Sequence, residues 1–276
     1  MKRVSRSCIA LLAAGVILSA MSCAAKTPLS SLDAIKKAGK LVIGTSADFP
    51  PYEFHSQVNG TDTIVGFDIA IAQEVAKDLG VTLEIKDMKF DGLLAALDSG
   101  NVDIVIAGMT PTDQRKESTD FSNIYYRAEQ GVIVRAADLA KYPDAASLKD
   151  AMIGAQKGAI QAGIAKKQVK GMSDETQDNP QVKELPKGAD LVLELKNGKI
   201  DAVIVETEVA KAYVAANPDL AVAPFVFPDS EGGSAVAVKK GNQALVDAVN
   251  ATLARLESGG LIPGFVTAAK EEMDRL

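Results

Sequence analysis

With 276 residues and 47% hydrophobic content, the chain is long enough to build one large domain or two lobes around a core of its own. Its net charge of −6 includes three cations near the N-terminus, Lys2, Arg3 and Arg6; the remaining 27 Lys and Arg against 36 Asp and Glu leave it near −9, which argues against nucleic acid as a partner. One histidine, His55, and two cysteines, of which Cys8 falls in the N-terminal leader, argue against a zinc site, an intramolecular disulfide and a His-based nucleophilic triad.

The leader, residues 1–22, joins those cations to the apolar run 9–18, which is too short to span a bilayer comfortably, and reads as an export signal. Cys23 follows Ala20, Met21 and Ser22 in a pattern similar to a bacterial lipobox, with Ala20 where Leu, Val or Ile is usual. Two readings fit: lipidation at Cys23, which makes residues 23–39 a lipidated N-terminus and tether, or ordinary signal cleavage. Residues 40–45 then predict an apolar strand, and residues 67–79 a helix with Ile69, Ala72, Val75, Ala76 and Leu79 on one face. A strand at 81–85, a helix at 91–99 stopped by Gly100 and a strand at 104–106 complete a βαβ order, hence a mostly parallel sheet. A strand at 131–135 follows. From Ala151 the pattern restarts: a strand at 152–155, a helix after Gly158, a helix at 189–196 and a strand at 200–205. Two such sets predict two similar lobes. A late strand at 234–239 and an amphipathic helix carrying Leu245, Val249, Leu253 and Leu256 are read as returning to the first lobe. The division expected is therefore 40–130 and 229–276 for lobe 1 and 131–228 for lobe 2. Two hinge crossovers are expected near 129–132 and 226–233, where Pro228, Gly232 and Gly233 suit a bend.

The segment 104–126 carries the chemistry. Ile104, Val105 and Ile106 form a buried-strand run, and Gly108 lets a ligand approach the backbone. Thr110 and Thr112 add hydroxyls, and the Arg115 guanidinium can hold a carboxylate through two parallel hydrogen bonds. The carboxyl end of a strand in an α/β sheet is where such sheets bind ligands. The plainer reading is a strand and turn with Arg115 solvated or paired with Asp113 or Glu117.

The chain resembles the polar-amino-acid binding proteins of bacterial ABC importers, the extracellular solute-binding family 3. The likeness rests on GTSADFPPYEF at 44–54, VGFDIAIA at 65–72, FDGLLAALDSGNVDIVIAGMTPTDQR at 90–115, DFSNIYY at 120–126 and DAVIVE at 201–206, in shared order over nearly all of the chain after the leader. The resemblance implies a two-lobed, type II periplasmic-binding-protein-like α/β fold, each lobe a mostly parallel sheet flanked by helices. It implies an extracytoplasmic, non-enzymatic protein, working as a monomer without cofactor or metal, that carries a free L-amino acid to ABC permease subunits. Carried over by position, Arg115 clamps the ligand carboxylate with help from Gly108, Met109 and Thr110, and Glu206 accepts the α-ammonium. Phe49 and Phe90 line the side-chain pocket, with core packing as the alternative for each. Glu206 has an alternative use as a cap of the helix after it.

In lobe 2 the ligand-facing turn is Gln156-Lys157-Gly158-Ala159-Ile160-Gln161, with Ala159 and Ile160 where the family usually has a hydroxyl. Its backbone donors at a helix N-terminus survive that change, and Gln161 replaces part of the lost side-chain bonding. Ser46 stands where relatives for basic or amide side chains often carry an aspartate. Asp48, Glu53 and Asp68 are acids close in sequence to the pocket, Asp68 also reading as an N-cap, and the look of SADFPPYEF favours a basic or other polar amino acid. Two other classes fit less well: a dehydratase similar to cyclohexadienyl dehydratases, with Glu206 as general acid, and a sensing or adhesion lipoprotein.

Overall fold

A computed structural model describes residues 31–58, 60–228, 232–273 and 275. The leader and Cys23 lie outside them. Helix α1 (Ser31–Ala38) leads into β1 (Lys40–Thr45), whose Leu41 and Ile43 are fully buried. Short antiparallel strands β2 (Asp48–Phe49), β3 (Glu53–Val58) and β4 (Thr61–Val65) follow. Helix α2 (Phe67–Leu79) buries Ile69, Ala72, Val75 and Ala76 as their spacing predicts, and Gly80 ends it in the left-handed conformation, φ 71°. Then come β5 (Thr82–Asp87), α3 (Leu93–Asp98), β6 (Ile104–Val105), α4 (Asp113–Ser118) and β7 (Thr119–Tyr126).

The second lobe is built from β8 (Gln130–Arg135), β9 (Ile153–Gln156), α5 (Ile160–Ile164), β10 (Val182–Leu185), α6 (Gly188–Lys196), β11 (Ala202–Glu206), α7 (Thr207–Ala216) and β12 (Leu220–Val222). The chain ends in β13 (Ser234–Lys239), α8 (Gln243–Ser258) and α9 (Leu261–Met273).

One sheet has the order β5-β1-β6-β13-β7 and the other β10-β9-β11-β8-β12. In both, the first two pairings are parallel and the last two antiparallel. The mostly parallel expectation therefore holds for β5-β1-β6 and β10-β9-β11 and not for the rest. Strands joined through a helix must run the same way, whereas β8 and β13 enter their sheets directly from the other lobe and run against their neighbours. β13 lies between β6 and β7, so the late strand does join the first sheet. The two connections run side by side, where Gln130 and Phe227 exchange backbone hydrogen bonds of 2.8 Å in each direction. Helix α8 buries Leu245, Val249, Leu253 and Leu256 and is tied to α2 through Thr252 Oγ1 to Asp78 (2.9 Å) and Arg255 to Asp78 (2.8 Å).

Candidate ligand-binding cleft

Beyond β6 the chain turns through Gly108 at φ +55°, a conformation that favours glycine. A Cβ there would stand 3.1 Å from the Phe49 ring and 3.4 Å from that of Tyr52, so glycine lets both aromatics close on the strand end. The Gly108 N–H donates to Asp68 Oδ2 at 2.8 Å. This corrects the expectation that Gly108 offers a backbone donor to a ligand: its donor is taken, and its part is to make room. The Asp68 N-cap reading is likewise corrected, since Gly66 is the N-cap of α2 and the Asp68 carboxylate is buried against Gly108 and Tyr125 Oη (2.8 Å). The Met109 carbonyl accepts from Ala235 N (2.9 Å), and the Met109 side chain is buried in the cluster of Phe90, Leu93 and Leu97.

Thr112 caps α4, its hydroxyl accepting from Arg115 N at 3.3 Å. The cap starts the helix so that Arg115 points back across the strand end. Its Nη1 donates to Thr110 O (2.6 Å), its Nη2 to Gly158 O of the other lobe (2.9 Å), and its Cζ lies 5.4 Å from the centre of the Phe90 ring. A cation on an aromatic face with fixed donors is the arrangement that holds an anion in a chosen direction.

Glu206 ends β11 and occupies the N-cap position of α7 without a side-chain cap bond. Its carboxylate instead accepts from the Tyr52 hydroxyl of the other lobe, and both residues are buried. Burial, then the Glu206 charge, pushes the Tyr52 hydroxyl well above its ordinary value, so it stays a donor. Tyr52 also packs against Phe49 (centroids 5.3 Å apart) and Phe67 (4.2 Å). Tyr52 was not among the expected site residues, although an aromatic directly after two prolines is a sequence signal of the same kind as Phe49.

The lobe 2 turn meets lobe 1 at close quarters. Gly158 has φ +78°, and a Cβ on it would lie 3.1 Å from Asp91 Cβ and 3.3 Å from Asp91 Cα. Lys157 pairs with Asp91 (3.2 Å) beside it. Ala159 is the N-cap of α5 and makes no side-chain cap bond, as its missing hydroxyl dictates. Gln156 Nε2 donates to Pro186 O (3.3 Å), and Gln161 Nε2 donates to Gln130 Oε1 (2.7 Å) at the crossover. On the other flank, Asp48 bridges the lobes: its Oδ2 accepts from Gly188 N (2.6 Å), its carbonyl from Tyr213 Oη (2.8 Å), and its Oδ1 from Ser46 Oγ (3.1 Å). Burial raises the Asp48 carboxyl above its ordinary value, against the pull of the Gly188 N–H and the Ser46 hydroxyl. Neither Asp48 as a bridge nor Gly188 and Tyr213 as its partners was legible in the chain.

These contacts close the cleft. A cavity inside it is lined by Phe49, Phe90, Gly108, Thr110, Arg115, Gln156, Ile160 and Gln161, all expected at the site, together with Ala107 and Ala159. Ser46, Met109 and Glu206 are not on its wall; they lie against Asp48, in the core and against Tyr52. A second cavity shares Phe49, Gln156 and Gln161 with the first and continues to Gly188, Leu191, Val205 and Tyr213. Among the described residues, no group of three or more His, Cys, Asp or Glu is placed to hold a metal, and no helix is long and apolar enough to cross a membrane.

Two α/β lobes joined by paired crossovers, closed over a cleft with an arginine on one wall, define a type II periplasmic-binding-protein-like protein. The chain belongs to the bacterial extracellular solute-binding proteins, family 3, whose profile matches residues 41–263. It is 38% identical over 227 residues to the arginine-binding extracellular protein ArtP of Bacillus subtilis, covering 80% of this chain and 82% of that one. It is 33% identical over 233 residues to the L-cystine-binding protein TcyJ of Escherichia coli K12, covering 84% and 82%. Among solved structures, an amino acid ABC transporter substrate-binding protein from Streptococcus pneumoniae bound to L-arginine superposes with a TM-score of 0.81 at 39% identity, covering 87% of this chain and 97% of that one. These relatives are binding proteins, which supports a non-enzymatic reading.

Proposed function

We propose that the protein captures a free L-amino acid outside the cytoplasm and delivers it to the permease subunits of an ABC importer, and that the ligand is a basic amino acid, arginine foremost. The observation that carries the reading is Arg115, stacked on Phe90 on the wall of a cavity between the lobes and bonded to Gly158 O across it. Residues 40–130 and 229–276 act as one lobe and 131–228 as the other, the pair opening and closing about the two crossovers. The ligand carboxylate meets Arg115 and Thr110 and takes over guanidinium donors now spent on backbone carbonyls. The Gly158–Gln161 turn covers it. The ligand side chain passes Phe49 toward the second cavity, two of whose wall residues, Gly188 and Tyr213, are hydrogen-bonded to Asp48, so a carboxylate stands beside the place a cationic group reaches. The arginine-binding relatives favour that charge. The cystine-binding one makes a longer neutral ligand the competitor.

The test is a thermal-shift and calorimetric screen of the common amino acids with cystine, alongside a prephenate and arogenate turnover assay. Arginine is expected to stabilise most. Turnover without stabilisation by any amino acid would sink the transport reading, and stabilisation by cystine alone would replace the ligand.

In this reading Glu206 holds the ligand ammonium while keeping its bond from Tyr52, since a carboxylate accepts several hydrogen bonds. Glu206→Gln is expected to weaken L-arginine binding by about tenfold or more, the loss typical of a charge-assisted bond, and to affect an analogue lacking the α-amino group less. Equal losses for both ligands in calorimetry would remove Glu206 from the site. Cys23 is proposed as the lipidated anchor of a monomeric protein. Mass spectrometry of the mature N-terminus finding no acyl-modified cysteine, or a dimer mass in solution, would overturn the corresponding part.

A further inference from the structure

Behind the Phe49 and Tyr52 rings lie two carboxyl groups that no cation among the described residues meets. Glu53 opens β3 and Asp68 sits in the first turn of α2; both are 0% exposed. Asp68 Oδ2 is satisfied by Gly108 N–H and Tyr125 Oη, each at 2.8 Å. If both groups were carboxylates, which only accept, Asp68 Oδ1 and both oxygens of Glu53 would be buried without a donor. Three orphaned acceptors and two like charges in the interior form an arrangement that a folded chain avoids. Asp68 N donates to Tyr52 O at 3.0 Å, which sets Asp68 beside Glu53 at the start of β3, and a proton on one of the two carboxyls would supply the donor that the pair lacks.

We propose that Glu53 and Asp68 share one proton and that the pair is a positioning device for the carboxylate seat: the Glu53 carboxyl donates to Asp68, whose other oxygen holds Gly108 N–H and so fixes residues 107–110 beside Arg115. The inference rests on the reading of that segment as the ligand carboxylate seat. The groups facing the pair are Tyr125 from β7, Tyr52 before β3, Asp48 from β2 and Glu206 from β11, none of them a cation. Burial pushes Glu53 far above the ordinary carboxyl range, and the charge of Asp68 adds to it. Burial raises Asp68 as well, to about 6, its rise limited by the donors it receives. Two upward shifts fit a pair that carries a single negative charge. Both shifts are upward for acids, so the folded chain keeps protons that the unfolded chain has released. The pair's contribution to stability is greatest below the ordinary carboxyl values and declines as pH rises through the folded ones, Asp68 first.

The discriminating variants are Glu53→Gln, which keeps a donor without a titrating proton, and Glu53→Leu, which removes the donor. Infrared spectra of the ligand-free protein at pH 7 are expected to show a protonated-carboxyl band in the wild type that both variants lose. With L-arginine as probe, Glu53→Gln is expected to bind within about threefold of the wild type, whereas Glu53→Leu, leaving Asp68 Oδ1 without a donor, weakens binding about tenfold. Absence of the band in the wild type, or its survival in Glu53→Gln, overturns the shared proton. Binding by Glu53→Gln as weak as by Glu53→Leu overturns the positioning role, and if the Leu variant does not fold, the Gln variant's band and affinity decide. A wild-type protein that shows the band but binds no arginine would fail the ligand reading while the shared proton stands.

Discussion

Arg115→Ala is expected to weaken binding of L-arginine by at least about 150-fold, about 3 kcal/mol, in calorimetry on protein stripped of ligand. The size follows from what the truncation leaves behind. A carboxylate enclosed between Phe49, Phe90 and the Gly158 turn has no water to replace the lost guanidinium, so the full penalty of a buried unpaired charge appears. Arg115 also reaches one carbonyl from each lobe, Thr110 O and Gly158 O, and its loss removes the donors that would pass from these carbonyls to the ligand. Arg115→Lys keeps the charge but loses the planar fork and is expected to recover only part of the affinity. Near-unchanged affinity of the alanine variant, with circular dichroism showing it folded, would remove Arg115 from the site.

The second large effect is expected from Gly158→Val. A β-branched residue at φ +78° costs about 1–3 kcal/mol by itself, and its Cβ would press on Asp91 Cβ and Cα at 3.1 and 3.3 Å in the closed form. In the opening about the crossovers proposed above, Gly158 would part from Asp91, so the cost of that contact falls on closure while the backbone strain is carried in both forms. Closure is linked to binding, and affinity for L-arginine is expected to drop by about tenfold to hundredfold. Solution scattering is expected to show no ligand-induced contraction at arginine concentrations that contract the wild type. A variant that binds and contracts like the wild type would show that this turn does not pack against Asp91 in the bound state.

Much of the fold is legible because its signals are local. The buried face of α2 follows from Ile69, Ala72, Val75 and Ala76, which recur at helical spacing whatever they pack against. The strand at Ile104 shows as an uninterrupted apolar run, and eight residues expected at the site line one cavity. Pairing direction is not local. An apolar run marks a strand as buried without stating which way its neighbours run, so the antiparallel entries of β8 and β13 could not be read.

The misreading of Asp68 has the same origin. Asp68 has the position and chemistry of a cap, and only the arrival of Gly108 and Tyr125, 40 and 57 residues away, turns it into a buried acceptor. Glu206 has the position of a cap too, and Tyr52, 154 residues away, turns it toward the other lobe. What the sequence by itself determined was the main strands and helices of the two βαβ sets, the entry of the last strand into the first sheet, and the residue types available to a carboxylate; strands β2–β4, β7, β10 and β12 and helices α1, α4 and α9 were not among them. Only the tertiary structure decided which donors are already spent, which acids face one another without a cation, and which glycines keep the lobes from colliding. Those properties belong to pairs distant in the chain, and a pair has no chemistry until folding brings its two members within a few ångströms.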